Sequence, residues 1–170
     1  MLWCVVIYHG PTAQNDGISF YGVYAPTIAI LVGCYGAAGV GLWWMSLRLG
    51  REIGLDRTAL GLRLVAIGLG LLLLTPYDRG PVWNWSHMTF GVCIALIQLF
   101  VSVRLLREHQ SWGAVVGFSI QLLGGVLAAL SLPNWNFDFL LLGQIFYQVG
   151  FAWCMIEWTH LLGARAATAP

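Results

Sequence analysis

The amino-acid sequence predicts an all-α protein, a polytopic transmembrane helical bundle with five spanning helices and a short N-terminal helix. Of its 170 residues, 59% are hydrophobic and 9% are charged, whereas soluble domains carry about 25% charged residues. The mean hydropathy is +0.77, and five apolar segments are each long enough to cross a hydrocarbon core of about 30 Å. The predicted spans are, in chain order, 24–47, 59–76, 87–103, 112–132 and 139–161.

The N-terminal residues 1–8 are apolar but too short to span. Eight helical residues reach only about 12 Å, so we expect an interfacial or half-inserted helix, or the remainder of a longer transmembrane helix. The segment has no basic n-region, which argues against a cleaved signal peptide. Residues 9–19 are predicted to form a polar loop, with Asn15, Asp16 and Gly17 as a turn signal.

Arginines predict the orientation of the five spans. By the positive-inside rule, the connections that carry them are cytoplasmic, as is the C-terminus, where residues 163–170 are predicted to be a flexible tail. The opposite connections carry only Arg79. The arginines on the predicted cytoplasmic side are Arg48, Arg51, Arg57, Arg63, Arg104, Arg107 and Arg165.

Small residues at four-residue spacing predict close helix packing. One such set, Gly33, Ala37 and Gly41, lies in the first span, and Gly113 and Gly117 lie in the fourth. Small side chains let helix backbones approach closely within a membrane. We therefore expect tight helix pairs, within the protomer or between protomers.

Several short motifs give the chain a family resemblance. The second span ends in Leu-Leu-Leu-Leu-Thr-Pro-Tyr-Asp, the third opens with His87, and the last contains Gly-Gln-Ile-Phe-Tyr-Gln-Val-Gly-Phe-Ala-Trp. In this order they resemble small bacterial six-helix membrane proteins of unknown function that are distantly Frag/DRAM-like. The resemblance implies a multi-pass protein of the bacterial cytoplasmic membrane, and it implies no activity. Members of that group carry a full helix where this chain has residues 1–8.

Polar residues that concentrate at the predicted outer face form a candidate cluster. Such groups could bind a divalent metal or act as a general base. Because no two of them have the i, i+3 or i, i+4 spacing of a metal motif, local roles are favoured: Asp78 pairing with Arg79 or capping a turn, His87 beginning a helix and Asp16 serving a turn. The candidate outer cluster comprises His9, Asp16, Asp78, Arg79, His87 and Asp138.

No cofactor is expected. The four cysteines lie in or beside separate apolar segments without a Cys-x-x-Cys pair, so they indicate neither a disulfide framework nor a zinc site. Bis-histidine haem needs axial histidines inside helices, whereas His9 and His109 lie in predicted loops.

Two further polar sets lie within the spans. A layer of four amides is predicted near mid-membrane, where they would face the interior and form interhelical hydrogen bonds, or else line a polar path. An inner pair, Glu157 and His160, is expected to form an ion pair with cytoplasmic arginines, with a proton relay as the alternative. The amides are Gln98, Gln121, Gln144 and Gln148.

These features predict a non-catalytic accessory or assembly subunit of a larger membrane protein complex. The scarcity of catalytic groups and the small-residue helix faces favour it, and we expect contacts with membrane lipids and with other subunits or a second copy. The first alternative is a protein that binds or modifies a lipid or glycolipid headgroup at the cluster around Asp78 and His87. The second is a small transporter or channel subunit that uses the glutamine layer. A net charge of +1 gives no indication of nucleic-acid binding.

Overall fold

The computed structural model describes residues 2–51, 55–131 and 138–168, with side chains described for 3–51, 55–131 and 138–164. This part of the chain is helical and contains no β-strand, which confirms the all-α prediction. Two 3₁₀ helices, Gly17–Gly22 and Tyr77–Arg79, accompany the α-helices. The α-helices are α1 (Leu2–Ile7), α2 (Pro11–Asp16), α3 (Ala25–Leu49), α4 (Asp56–Leu74), α5 (Pro81–Glu108), α6 (Trp112–Leu130) and α7 (Leu140–Thr168).

The five long helices, α3 to α7, confirm the predicted spans. Each is long and apolar enough to cross a membrane. The shortest, α4 and α6, have 19 residues and therefore rise about 28 Å, close to the thickness of a hydrocarbon core. The chain is a multi-pass membrane protein with a short N-terminal helix.

The N-terminal connection differs from its prediction as a polar loop. Residues 11–16 form α2, and the 3₁₀ helix Gly17–Gly22 follows directly. Pro11 occupies the first turn of α2, where the absence of an amide hydrogen is harmless. Gly17 then takes a φ of 69°, a conformation that glycine adopts without strain and that ends the helix.

Two helix boundaries also differ from the prediction. Helix α5 begins at Pro81, six residues before the predicted start, because Gly80 with a φ of 122° precedes a proline suited to the first helical turn. His87 therefore lies within α5 and does not open it. Helix α7 continues to Thr168, so residues 163–168 of the predicted flexible tail are helical, as alanine favours. Residues 169 and 170 lie outside the described residues.

The chain divides into two compact units, Met1–Gln98 and Leu99–Pro170. In the first unit α3 packs against α4. A core of Val65, Leu69 and Ile94 joins α4 to the beginning of α5, and side chains from α3 pack around it.

The second unit is built on backbone contact between α6 and α7. A Cβ atom added at Gly124 would overlap the backbone of Tyr147, and one at Gly150 would overlap the backbone of Gln121. The two predicted glycines, Gly113 and Gly117, both face α7, at Glu157 and Trp153. Glycine is required at Gly124 and Gly150, because any side chain there would separate the two backbones.

Candidate functional site

Two hydrogen-bonded sets of polar groups lie side by side in the first unit and include two members of the predicted outer cluster. We call them together the His87 cluster. Its members come from the end of α2, the 3₁₀ helix that follows, the connection after α4 and the second turn of α5. They are Asp16, Ser19, Thr75, Tyr77 and His87.

The imidazole of His87 binds a different partner at each ring nitrogen. Nδ1 lies 2.6 Å from the backbone oxygen of Thr75, and because a carbonyl only accepts, Nδ1 carries the hydrogen. In the neutral ring Nε2 is then an acceptor, and the Ser19 hydroxyl, 2.7 Å away, donates to it. The Thr75 carbonyl thus selects the tautomer in which His87 can accept a proton from Ser19.

Tyr77 lies beside this pair and hydrogen bonds a carboxylate. Its hydroxyl donates to Oδ2 of Asp16 at 2.8 Å, and its ring centroid lies 6.0 Å from that of His87. Burial raises the pKa of Tyr77, and the hydrogen bond to Asp16 and the negative charges of Asp16 and Asp78 raise it further. Tyr77 therefore stays protonated and remains a hydrogen-bond donor at neutral pH.

Aromatic side chains hold the segment that carries Ser19. Phe20 packs against Tyr8 and Tyr24 with ring centroids 5.2 and 5.3 Å apart. The Tyr21 hydroxyl donates to the backbone oxygen of Tyr8 at 3.1 Å, and burial raises the pKa of Tyr21. These contacts fix the 3₁₀ helix Gly17–Gly22 against Tyr8 and Tyr24 and so position Ser19.

The remaining members of the predicted outer cluster lie apart from these contacts. His9 is exposed and hydrogen bonds Gln14 at 3.1 Å. Asp78 and Arg79 are exposed in the 3₁₀ turn, and no ion pair joins them in the described part of the chain. Asp138 is exposed and belongs to the second unit.

A metal centre is not found where the structure describes the chain. Across residues 2–51, 55–131 and 138–168, no three His, Cys, Asp or Glu side chains are grouped so that they could hold a metal ion. In the His87 cluster both imidazole nitrogens are already hydrogen bonded. The arrangement there is a Ser19 hydroxyl that donates a hydrogen bond to the neutral imidazole of His87.

The predicted inner pair has different partners from those expected. Oε2 of Glu157 accepts a hydrogen bond from Ser111 at 2.6 Å and lies 3.8 Å from Nε2 of His109. Ser111 also caps α6, since its Oγ accepts from the Ala114 amide at 3.0 Å. His160 is exposed. Glu157 therefore pairs with the connection before α6, and the arginines described in the structure form no ion pair with it.

The four amides of the predicted layer differ in burial. Gln98 and Gln121 are buried, Gln144 is half-buried and Gln148 is exposed. The expectation that all four face the interior stays a prediction. Both polar side-chain atoms of Gln121 are buried without a hydrogen-bond partner among the described residues. Its amide therefore forms no interhelical hydrogen bond within the described part of the chain.

Sequence reasoning missed Ser19, Tyr77, His109 and Ser111. For Ser111 a signal was present, because a serine directly before a helical segment is a typical N-cap. Ser19 carries no such signal, since 68 residues separate it from His87.

No protein-family model, curated protein or solved structure matches this chain. The resemblance to the Frag/DRAM-like group therefore stays a prediction.

Proposed function

We propose that the protein is a non-catalytic accessory or assembly subunit of a larger membrane protein complex, and that α3 is the helix through which it joins a partner. The observation that carries this proposal is the small-residue face of α3. Cβ atoms added at Gly33 and Gly41 would meet no described heavy atom within 4 Å, and Ala37 between them is exposed.

Gly33 and Gly41 lie in the middle of α3, where glycine weakens a helix. Each destabilises a helix by roughly 0.5–1 kcal/mol relative to alanine. Helix association in a bilayer favours small residues, because they let two backbones approach closely. Close approach of a second helix backbone would explain these two glycines.

The same chain shows what its glycines do when a partner helix is present. Across the α6–α7 interface, Gly124 and Gly150 face the backbone of the other helix at distances that leave no room for a side chain. The face of α3 has small residues at four-residue spacing, and a Cβ added at Gly33 or Gly41 would meet no described atom within 4 Å. By this analogy we expect a helix of another subunit to pack there.

The test is affinity purification from the native membrane in mild detergent, followed by mass spectrometry of the proteins retained. The wild-type chain should retain a stoichiometric membrane partner, and the double variant Gly33→Leu/Gly41→Leu should lose it. Gly91→Leu is the matched control, because Gly91 on α5 also has no described atom within 4 Å of an added Cβ. Purification of a solitary wild-type chain, or equal loss of the partner in the control, would contradict the proposal.

A lipid or glycolipid headgroup site at the His87 cluster is a second candidate. The observation that favours it is the Ser19–His87 pair, a hydroxyl and a base fixed beside the exposed turn that carries Asp78 and Arg79. A zwitterionic or sugar headgroup could bind the charges of this turn and the Ser19 oxygen together.

Lipid analysis separates this candidate from the first. Co-purification of a defined headgroup class that is lost in both Arg79→Gln and Ser19→Ala would support it. Retention of the same lipids by both variants would exclude the site.

A further inference from the structure

An open apolar groove runs between α3 and α4 in the first unit. Its volume is about 480 Å³, within the range of small-molecule sites. Every residue that lines it is aliphatic, aromatic or glycine. The ones that matter most here are Gly36, Gly39, Trp43 and Trp44 on α3 and Gly70 on α4.

Two guanidinium groups stand at the tryptophan end of the groove. Cζ of Arg48 lies 4.0 Å from the ring centroid of Trp44, and Cζ of Arg63 lies 5.9 Å from that of Trp43. Nε of Arg63 donates to Oγ of Ser46 at 3.2 Å, which fixes the direction of its side chain. Trp43 and Trp44 therefore belong to the apolar lining of the groove and also contact the two arginines.

The charge at this end of the groove is not balanced by described carboxylates. Four arginines, Arg48, Arg51, Arg57 and Arg63, lie close in sequence around the α3–α4 connection, against Glu52 and Asp56. Within the described residues none of the four arginines forms an ion pair; the pairs found there are Arg104–Glu108 and His109–Glu157. An anion is the complementary partner.

The length of the groove matches that of an acyl chain in one leaflet. Between Tyr35 and Leu47, which both line it, α3 rises about 18 Å, close to the roughly 15 Å of one leaflet. Arginines and tryptophans at one end of the groove match the polar boundary of a bilayer.

We propose that the α3–α4 groove binds one anionic phospholipid, with its phosphate on Arg48 and Arg63 and an acyl chain against Gly36, Gly39 and Gly70. The glycines let the chain approach the helix backbones, since an added Cβ at Gly36 or Gly70 would meet no described atom within 4 Å. The site goes beyond the proposed subunit role, and Gly33 and Gly41 do not line it.

The experiment uses the full chain in nanodiscs that hold phosphatidylglycerol and phosphatidylcholine with identical acyl chains in equal amounts. Mass spectrometry then measures which lipid stays bound after detergent extraction. We expect at least fivefold enrichment of phosphatidylglycerol, falling to near equality in Arg48→Gln/Arg63→Gln. Arg107→Gln removes one charge from an exposed arginine of the second unit and should keep the enrichment.

A groove-filling variant tests the apolar half of the site. Gly70→Leu leaves the arginines in place and has room for its side chain, so it should lower the bound phosphatidylglycerol at least fivefold while thermal unfolding stays cooperative. Equal retention of the two lipids by the wild type would overturn the proposal. So would an equal loss of enrichment in Arg107→Gln, or unchanged binding in Gly70→Leu.

Discussion

Replacing Gly150 by alanine should separate α6 from α7 and measurably destabilise the second unit. The added Cβ would overlap the backbone nitrogen and Cα of Gln121 and the backbone oxygen of Gly117. Backbone atoms cannot rotate away as a side chain can, so the strain should reach the upper part of the roughly 1–3 kcal/mol seen for overpacked cores. Alanine regains about 1 kcal/mol of helix propensity. The net expectation is a loss of about 2 kcal/mol, or more than tenfold in the unfolding equilibrium.

Gly163→Ala is the matched control for this measurement. It makes the same chemical change in the same helix, at a position where an added Cβ meets no described atom within 4 Å. It should leave stability unchanged or raise it by up to about 1 kcal/mol. The assay is reversible unfolding in mixed micelles with increasing dodecyl sulfate. If Gly150→Ala and Gly163→Ala unfolded at the same detergent composition, the close contact between α6 and α7 would be wrong.

Three further outcomes are expected. Ser111→Ala should lower stability by about 1–2 kcal/mol in the same unfolding assay, since it removes the N-cap of α6 and a hydrogen bond to Glu157; an unchanged midpoint would refute the cap. The folded-state pKa of Tyr77 lies above its unfolded value, so its contribution to folding stability is present below about pH 10 and is lost as the pH rises towards the folded pKa. Tyr77→Phe should therefore lose less thermal stability than wild type between pH 9 and 11. Parallel losses in the two proteins would contradict the burial of this hydroxyl. The positive-inside rule predicts Asp78 outside and Arg107 inside. In intact cells that carry the protein without its native cysteines, a membrane-impermeant maleimide should therefore label Asp78→Cys and not Arg107→Cys. The reverse labelling would show that the predicted orientation is wrong.

The spans could be predicted because bilayer thickness and backbone hydrogen bonding act on composition alone. Any apolar stretch of about 20 residues must be helical in a membrane, whatever its neighbours. Boundaries were predicted less well where local rules opposed the apolar pattern. Helix α5 begins at Pro81, six residues before the predicted span, because Gly80 and Pro81 start the helix ahead of the apolar segment.

The His87 cluster could be predicted only in part. His87 and Asp16 are both predicted at the outer face of the membrane. Their actual partners are hydroxyl groups, Ser19 and Tyr77, and hydroxyls occur throughout the chain without a distinguishing spacing. Which one meets an imidazole depends on how the N-terminal helices pack, and no local pattern specifies that packing.

The pairing of helices could likewise be predicted only in part from the sequence. Glycines at four-residue spacing occur on both α3 and α6, and sequence alone predicts close packing for both. The structure places α7 against the α6 glycines and leaves Gly33 and Gly41 without a described neighbour. The α6 glycines face the helix that follows α6 in the chain, and sequence spacing alone does not say which helix faces a given set of glycines.

The proposed subunit role is tested most directly by photo-crosslinking in the native membrane. A photoreactive amino acid at Ala37, between the open glycines of α3, should give one defined adduct with another membrane protein. The same residue at Leu96, which is 62% exposed on α5, should give lipid adducts and no such product. Lipid adducts alone at both positions would contradict the account, because α3 would then face the bilayer and not a partner helix.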